Sequence, residues 1–232
     1  VGVSLLMRAI SVDRAVIGIE NNKPDAIAHL KRLIVDGSYR GIEVMPLKTR
    51  YPQGGEKQLI AAVTGRQVPP PPALPISVGA VVCNASTAVA VYEAVQKNKP
   101  LIERVVTITG KHLKETHNYL TRFGTPYTTL IEKAGGLPEG DVKILNGGPM
   151  MGRALVNLSA PIMKGCSGVT VYSDGDALRG KEMACIKCGK CVNACPIGLE
   201  PYLLARASKL QKWDIAEEHN APDCIECGCC SY

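Results

Sequence analysis

The sequence predicts an α/β chain that changes character twice along its 232 residues. Residues 1–102 read as an α/β part with a parallel sheet, 103–173 as a small α+β module of the β-grasp kind, and 174–232 as a helical cysteine-rich end. Three observations carry this. Apolar strand-like runs at 15–20 (AVIGIE) and 42–45 flank a helical stretch, which is the β-α-β pattern of a parallel sheet. Short strand signals at 104–109, 142–145 and 169–172 then surround one helical segment. Finally, eight of the ten cysteines fall between Cys185 and Cys230, where strand signals have stopped.

Residues 3–10 read as the end of a helix, and 15–20 as a buried strand. Pro24 sits where a first helical turn opens, and Ile27, Leu30, Leu33 and Ile34 give that helix one apolar face before Gly37 breaks it. The run 51–56 (YPQGGE) is rich in turn residues and leads into a helix over 57–63. Pro69–Pro72 form a stiff extended segment. Residues 78–83 read as a further strand, and 84–97 as a loop and helix. In the second part the helix over 125–133 is closed by Gly135 and Gly136. Beyond it, 199–213 places Leu203, Ala207 and Leu210 on one helical face.

Composition bounds the function. Aromatics are 4%, with one Trp and one Phe, so the core is built from Val, Ile, Leu and Ala. The formal charge of +6 is mild and its Lys and Arg are scattered, which argues against nucleic acid. No apolar run reaches the roughly 18 to 20 residues that span a bilayer; the most apolar stretch, 76–92, is interrupted by Asn84, Ser86 and Thr87. The regions of a signal peptide are not read at the start either. The expectation is a chain without a span of its own, reaching a membrane only through partners.

The first cysteine motif is Cys185-x2-Cys188-x2-Cys191-x3-Cys195-Pro196 and the second is Cys224-x2-Cys227-x2-Cys230. Three thiolates on one short loop can hold three corners of an iron–sulfur cube, and the Cys before Pro ligates the other cube of a two-cluster ferredoxin. One [4Fe–4S] cluster is thus expected on Cys195, Cys224, Cys227 and Cys230. The other is expected on Cys185, Cys188 and Cys191 with a fourth Cys two positions beyond Tyr232. The chain is therefore read as truncated, with Cys229 or an outside ligand as the substitutes. Each cluster on four thiolates carries about −2, so two would bring the net charge near +2. Structural zinc is the rival, but it does not need three Cys in register followed by Cys-Pro. A disulfide framework fits poorly with adjacent Cys229 and Cys230. Cys83 and Cys166 are expected to be buried bystanders, and Ile186, Ile197 and Ile225 to keep water from the clusters.

Several segments occur in order: IGIENNKPDAI (17–27), KTRYPQGGEKQLI (48–60), KPLIERVVTITG (99–110), NGGPMMG (146–152), CIKCGKCVNACP and CIECGCCSY. Together they resemble the C subunit of the Rnf electron-transport complex, a family related to the flavin- and NADH-binding subunit of respiratory complex I. The resemblance implies a partial flavin-binding domain, an SLBB-like β-grasp module and a ferredoxin-like iron–sulfur domain. It implies FMN, an NAD(H) site and two [4Fe–4S] clusters in a peripheral subunit on the cytoplasmic face of the membrane. Electrons would pass between NAD(H) and ferredoxin through partner subunits, coupled to ion movement.

By position, Tyr51, Gly54, Gly55 and Glu56 match the family's loop that meets flavin and nucleotide, and Asn84 and Thr87 its Asn-x-x-Thr segment beside the flavin. The family's glycine-rich flavin loop precedes residue 1, so FMN and NADH are expected to bind this piece poorly. Gly147 to Met151 is either a ligand loop or a turn whose two Met fill a core gap.

Two other classes of function compete with this one. A non-catalytic β-grasp docking module with a structural metal tail is the alternative, and a soluble iron–sulfur flavoenzyme a third. Gly175-x4-Gly180-Lys181 mimics a P-loop, but Glu182 replaces its Ser/Thr. His112 and His117 are expected at the surface.

Overall fold

The computed structural model describes every residue except Arg179, Glu182 and Tyr232. Glu182, on which the P-loop reading turns, thus lies outside the described residues. The chain divides into two compact units, Val1–Pro100 and Leu101–Tyr232.

In the first unit the predicted β-α-β is present. Strands β1 (Ala15–Glu20) and β2 (Ile42–Leu47) pair in parallel, from Ala15 opposite Ile42 to Glu20 opposite Leu47, joined through helix α2 (Pro24–Asp36). Helix α1 (Gly2–Ala9) precedes them, and α3 (Glu56–Thr64) and α4 (Ala85–Lys97) follow. Gly18 matters in β1, because a Cβ there would stand 2.8 Å from Leu47 Cδ1 and 3.0 Å from Leu59 Cδ1. Its bareness lets α3 lie on the strand and fixes the height of the loop at the helix's N-terminus. Thr49 Oγ1 donates to Asn21 Oδ1 at 2.8 Å, tying that loop to the end of β1.

Four expectations fail here. Residues 78–83 are not a strand: Pro75–Val78 is a 3-10 turn, Gly79 follows in the left-handed region at φ +69°, and the Val78 carbonyl is bonded by Arg66 Nη1. Leu33 is exposed, as the α2 stripe narrows to Ile27, Leu30 and Ile34. Cys83 is exposed too. In addition, β1 is half-buried, not buried.

The second unit opens with a five-stranded sheet in the order β4-β3-β7-β5-β6. Its strands are β3 (Glu103–Gly110), β4 (Asn118–Arg122), β5 (Val142–Asn146), β6 (Arg153–Ala154) and β7 (Gly168–Ser173). The central pair β3 and β7 is parallel and the others antiparallel. Helix α5 (Tyr127–Lys133) crosses one face. Alternation decides the facing: Val106 and Ile108 are fully buried while Val105 beside them is exposed. They pack with Leu130, Ile131, Ile144, Ile162 and Val171 into the core. This is the expected β-grasp, with β4 and the two-residue β6 added to the predicted strands.

The cysteine-rich end is helical as predicted, in short pieces: α6 (Lys190–Ala194), α7 (Pro201–Lys209) and α8 (Trp213–Glu218). The single helix expected over 199–213 breaks because Gln211 takes φ +54°. Ala207 stays buried, but Leu210, past the end of α7, is 56% exposed. No helix among the described residues is long and apolar enough to cross a membrane.

Candidate iron–sulfur centre and flavin loop

The two cysteine motifs fold alike, which their spacing foreshadows. In each, the residue before the second Cys is left-handed (Lys187 φ +56°, Glu226 φ +53°), and so is the glycine after it (Gly189 φ +73°, Gly228 φ +80°). That curl turns backbone donors inward: Lys187 N lies 3.4 Å from Cys185 Sγ, and Glu226 N lies 3.5 Å from Cys224 Sγ. Cys195 ends α6 in an extended conformation, and Leu199 N donates to its sulfur at 3.4 Å, across a turn made by Gly198 at φ +82°. Peptide N–H groups aimed at thiolate sulfur are one means of setting a cluster's potential.

The structure brings the second motif and Cys195 together. Cys195, Cys224, Cys227 and Cys230 line one cavity of about 320 Å³, walled by Pro196, Ile197, Leu199, Leu204 and Ile225. Ile197 and Ile225 thus line the cavity as expected of residues that keep water out, whereas Ile186 is 84% exposed. In the first motif Cys185 and Cys188 are exposed and Cys191, on α6, is half-buried.

The donor chemistry fits a cluster. Among the described residues no three His, Cys, Asp or Glu groups converge closely enough for a single metal ion, while five cysteines line one shared space, Cys229 beside the four expected ligands. Burial pushes the Cys230 thiol up, the neighbouring Cys224, Cys227 and Cys195 push it further, and its own backbone N–H opposes them. Cys229 is raised by burial first and then by its hydrogen bond with Cys227. Crowded thiols that resist ionising together become thiolates when a cationic core neutralises them, with release of protons.

Sequence reasoning missed three features here. Tyr202 lies near Cys191 and Cys185, its phenol raised mainly by its 3.0 Å hydrogen bond to Glu200. Met150, from the β5–β6 loop, presses its backbone on Gly228. Met151 is 60% exposed, so the two Met do not together fill a core gap. Only the Pro196 and Gly228 positions carried any local signal of such contacts.

In the first unit the six residues expected around a flavin sit at the N-termini of two helices. Tyr51, Gly54, Gly55 and Glu56 lead into α3, with Gly55 as its N-cap and Gly54 open on the side where a Cβ would point. Asn84 caps α4 by accepting from Ser86 N at 2.9 Å, and Thr87 lies in its first turn. Between them in the first loop, Gln53 is 5% exposed and its Nε2 has no hydrogen-bond partner. Helix N-termini with open glycine and an unpaired donor suit an anionic, hydrogen-bonding cofactor such as FMN.

Three family models match the chain in succession. Residues 1–93 match the Nuo51 FMN-binding domain, 105–154 the SLBB domain, and 178–232 the 4Fe-4S dicluster domain. Over 223 residues the chain is 46% identical to the C subunit of the proton-translocating ferredoxin:NAD(+) oxidoreductase complex of Clostridium ljungdahlii, covering 96% of this chain and 48% of that one. It is 43% identical to the Na(+)-translocating counterpart of Acetobacterium woodii, over 96% and 49%. Over nearly its whole length the chain is thus similar to the C subunits of these ion-translocating complexes. It spans about half the length of the curated relatives it matches. A solved NAD+-reducing [NiFe]-hydrogenase shares the fold over 74% of this chain and 35% of its own, at TM-score 0.60 and 20% identity. The chain thus joins an FMN-binding-type α/β unit, an SLBB β-grasp and a 4Fe-4S dicluster-type end in that order.

Proposed function

We propose that this chain is an electron-transfer segment of an ion-translocating ferredoxin:NAD(+) oxidoreductase complex. It carries electrons between an FMN/NAD(H) site and two [4Fe–4S] clusters, and partner subunits couple that flow to ion movement. Its place is peripheral, on the cytoplasmic face of the membrane, with ferredoxin served through those partners. The observation that carries this reading is the meeting of Cys195, Cys224, Cys227 and Cys230 around one cavity.

A bound cluster supplies a centre that takes up and gives out single electrons, and a bound flavin links these to the two-electron chemistry of a nicotinamide. The chain's own residues hold and tune. Cys195, Cys224, Cys227 and Cys230 are the ligands of one cluster; Cys185, Cys188 and Cys191 contribute three thiolates to the other. The N–H groups of Leu199 and Glu226 donate to ligand sulfur, and Ile197 and Ile225 limit water. In the flavin unit, Gly54 and Gly55 let a ring or phosphate approach the backbone. Tyr51, Glu56, Asn84 and Thr87 supply contacts around it.

The test is anaerobic reconstitution with iron and sulfide, followed by iron analysis and EPR after dithionite reduction. About four irons on this chain with a reduced-cluster signal is the expected result. Tight zinc binding with no iron uptake would overturn the redox reading in favour of a structural module.

A further inference from the structure

Five thiols, not four, line the cavity of the second motif: Cys229 joins Cys195, Cys224, Cys227 and Cys230. A cube takes one protein ligand at each of its four corners, so the fifth is surplus to the ligand set of the proposed function, on which any role for Cys229 rests. Cys229 is not directed elsewhere. It is half-buried, and its thiol is hydrogen-bonded to Cys227, itself a ligand.

Local geometry makes Cys229 and Cys230 alternatives to one another. Ser231 N donates to the Gly228 carbonyl at 3.1 Å, and Ser231 Oγ to the same oxygen at 3.0 Å. This closes a turn with Cys229 and Cys230 as its two central residues. Cys229 and Cys230 thus leave adjacent positions of one short turn, and both line the cavity. The first motif offers an internal contrast: the position equivalent to Cys229 is Lys190, which opens helix α6 and has no thiol.

We propose that Cys229 is a reserve ligand, which takes the iron corner of Cys230 when that thiol is lost or blocked. In the exchange the Fe–Sγ bond to Cys230 breaks and one to Cys229 forms; the Cys229 thiol gives up a proton and the departing Cys230 thiolate takes one up from solvent. No electron changes hands and no oxidant is needed. The cluster of the second motif is therefore buffered against loss of one ligand, and that of the first motif is not.

The experiment uses the full-length protein, reconstituted anaerobically, as wild type and as C229A, C230A, C229A/C230A and C191A. Iron content, EPR of the reduced protein and alkylation mapped by mass spectrometry are read for each. C229A is expected to keep the wild-type iron, and C230A to keep it too with a shifted EPR signal. The double variant and C191A are each expected to lose about four irons. Alkylation gives a second readout: Cys229 is modified in loaded wild type and protected in loaded C230A. Loss of those irons from C230A alone, retention by the double variant, or free alkylation of Cys229 in loaded C230A overturns the reserve role. A wild type that takes no iron sinks the cluster reading itself, which is a separate outcome.

Discussion

The backbone carbonyl of Met150 lies over Gly228, so close that a Cβ on Gly228 would stand 2.5 Å from its oxygen. Met150 belongs to the β5–β6 loop of the β-grasp, and Gly228 lies between Cys227 and Cys229. The loop is itself braced: Gly152 N donates to Gly148 O at 2.8 Å, and Thr170 Oγ1 of β7 to Gly147 O at 2.8 Å. A stiff sheet thus sets the position of the second cysteine motif's loop.

Gly189 supplies the control for that relationship. It has a similar positive φ, +73° against +80°, but nothing lies within 4 Å of its Cβ position. Gly189→Ala is expected to cost about 1 kcal/mol, the left-handed strain alone. Gly228→Ala adds a clash with backbone that cannot swing aside, for about 2–4 kcal/mol in all. Denaturant midpoints of the two variants, measured anaerobically, check this; equal shifts would show that the Met150 contact is not stiff.

That contact was invisible in the sequence, and the reason is physical. Motifs whose chemistry is local were legible: the two C-x2-C-x2-C loops and Pro24 opening α2. The parallel pair β1 and β2 was legible from apolar runs around one helix. What failed were features fixed by distant neighbours or by single dihedrals. Residues 78–83 are apolar enough for a strand, yet Gly79 turns left-handed there. Gln211, an ordinary helix former, breaks the last helix at φ +54°. Strand β4 exists because β3 pairs with it, while Leu120 at its centre points to solvent.

Tyr127 predicts how the β-grasp responds to alkali. It is 2% exposed, and its phenol is held well above its ordinary value first by burial and then by the Cys166 thiol bonded to it. The folded chain therefore keeps a proton that the unfolded chain releases above about pH 10. Stability from this group is complete below that pH and falls as pH rises beyond it. Tyr127→Phe is expected to lose about 1 kcal/mol at neutral pH and to show a shallower alkaline decline. Urea unfolding across that range compares the two, and parallel curves would mean that another group titrates.

Gly18 links the sheet to the flavin loop. The atoms that a Cβ would meet are the tips of Leu47 and Leu59, which can shift, so Gly18→Ala is expected to be tolerated. Gly18→Val overfills the space by more than those tips can yield, at about 1–3 kcal/mol. Because Leu59 is on α3, the strain displaces the helix whose N-terminus presents Gly54 and Gly55. FMN fluorescence titration of the full-length protein should then show weaker binding in the Val variant than in the Ala variant. Identical affinities would separate the seat of α3 from flavin binding.

Asn84 has two possible duties that one pair of substitutions can part. Its Oδ1 caps α4 by accepting from Ser86 N, and in the proposed function its amide also contacts the flavin. Asn84→Ala removes both, and is expected to cost about 1 kcal/mol of stability along with FMN affinity. Asn84→Asp keeps a capping oxygen of equal quality but replaces the amide donor with negative charge. The expected result is a variant as stable as wild type whose FMN affinity has fallen at least as far as that of the Ala variant. Wild-type affinity in Asn84→Asp would leave Asn84 as a helix cap alone, and the flavin contact would have to come from Thr87 or the loop at Gly54.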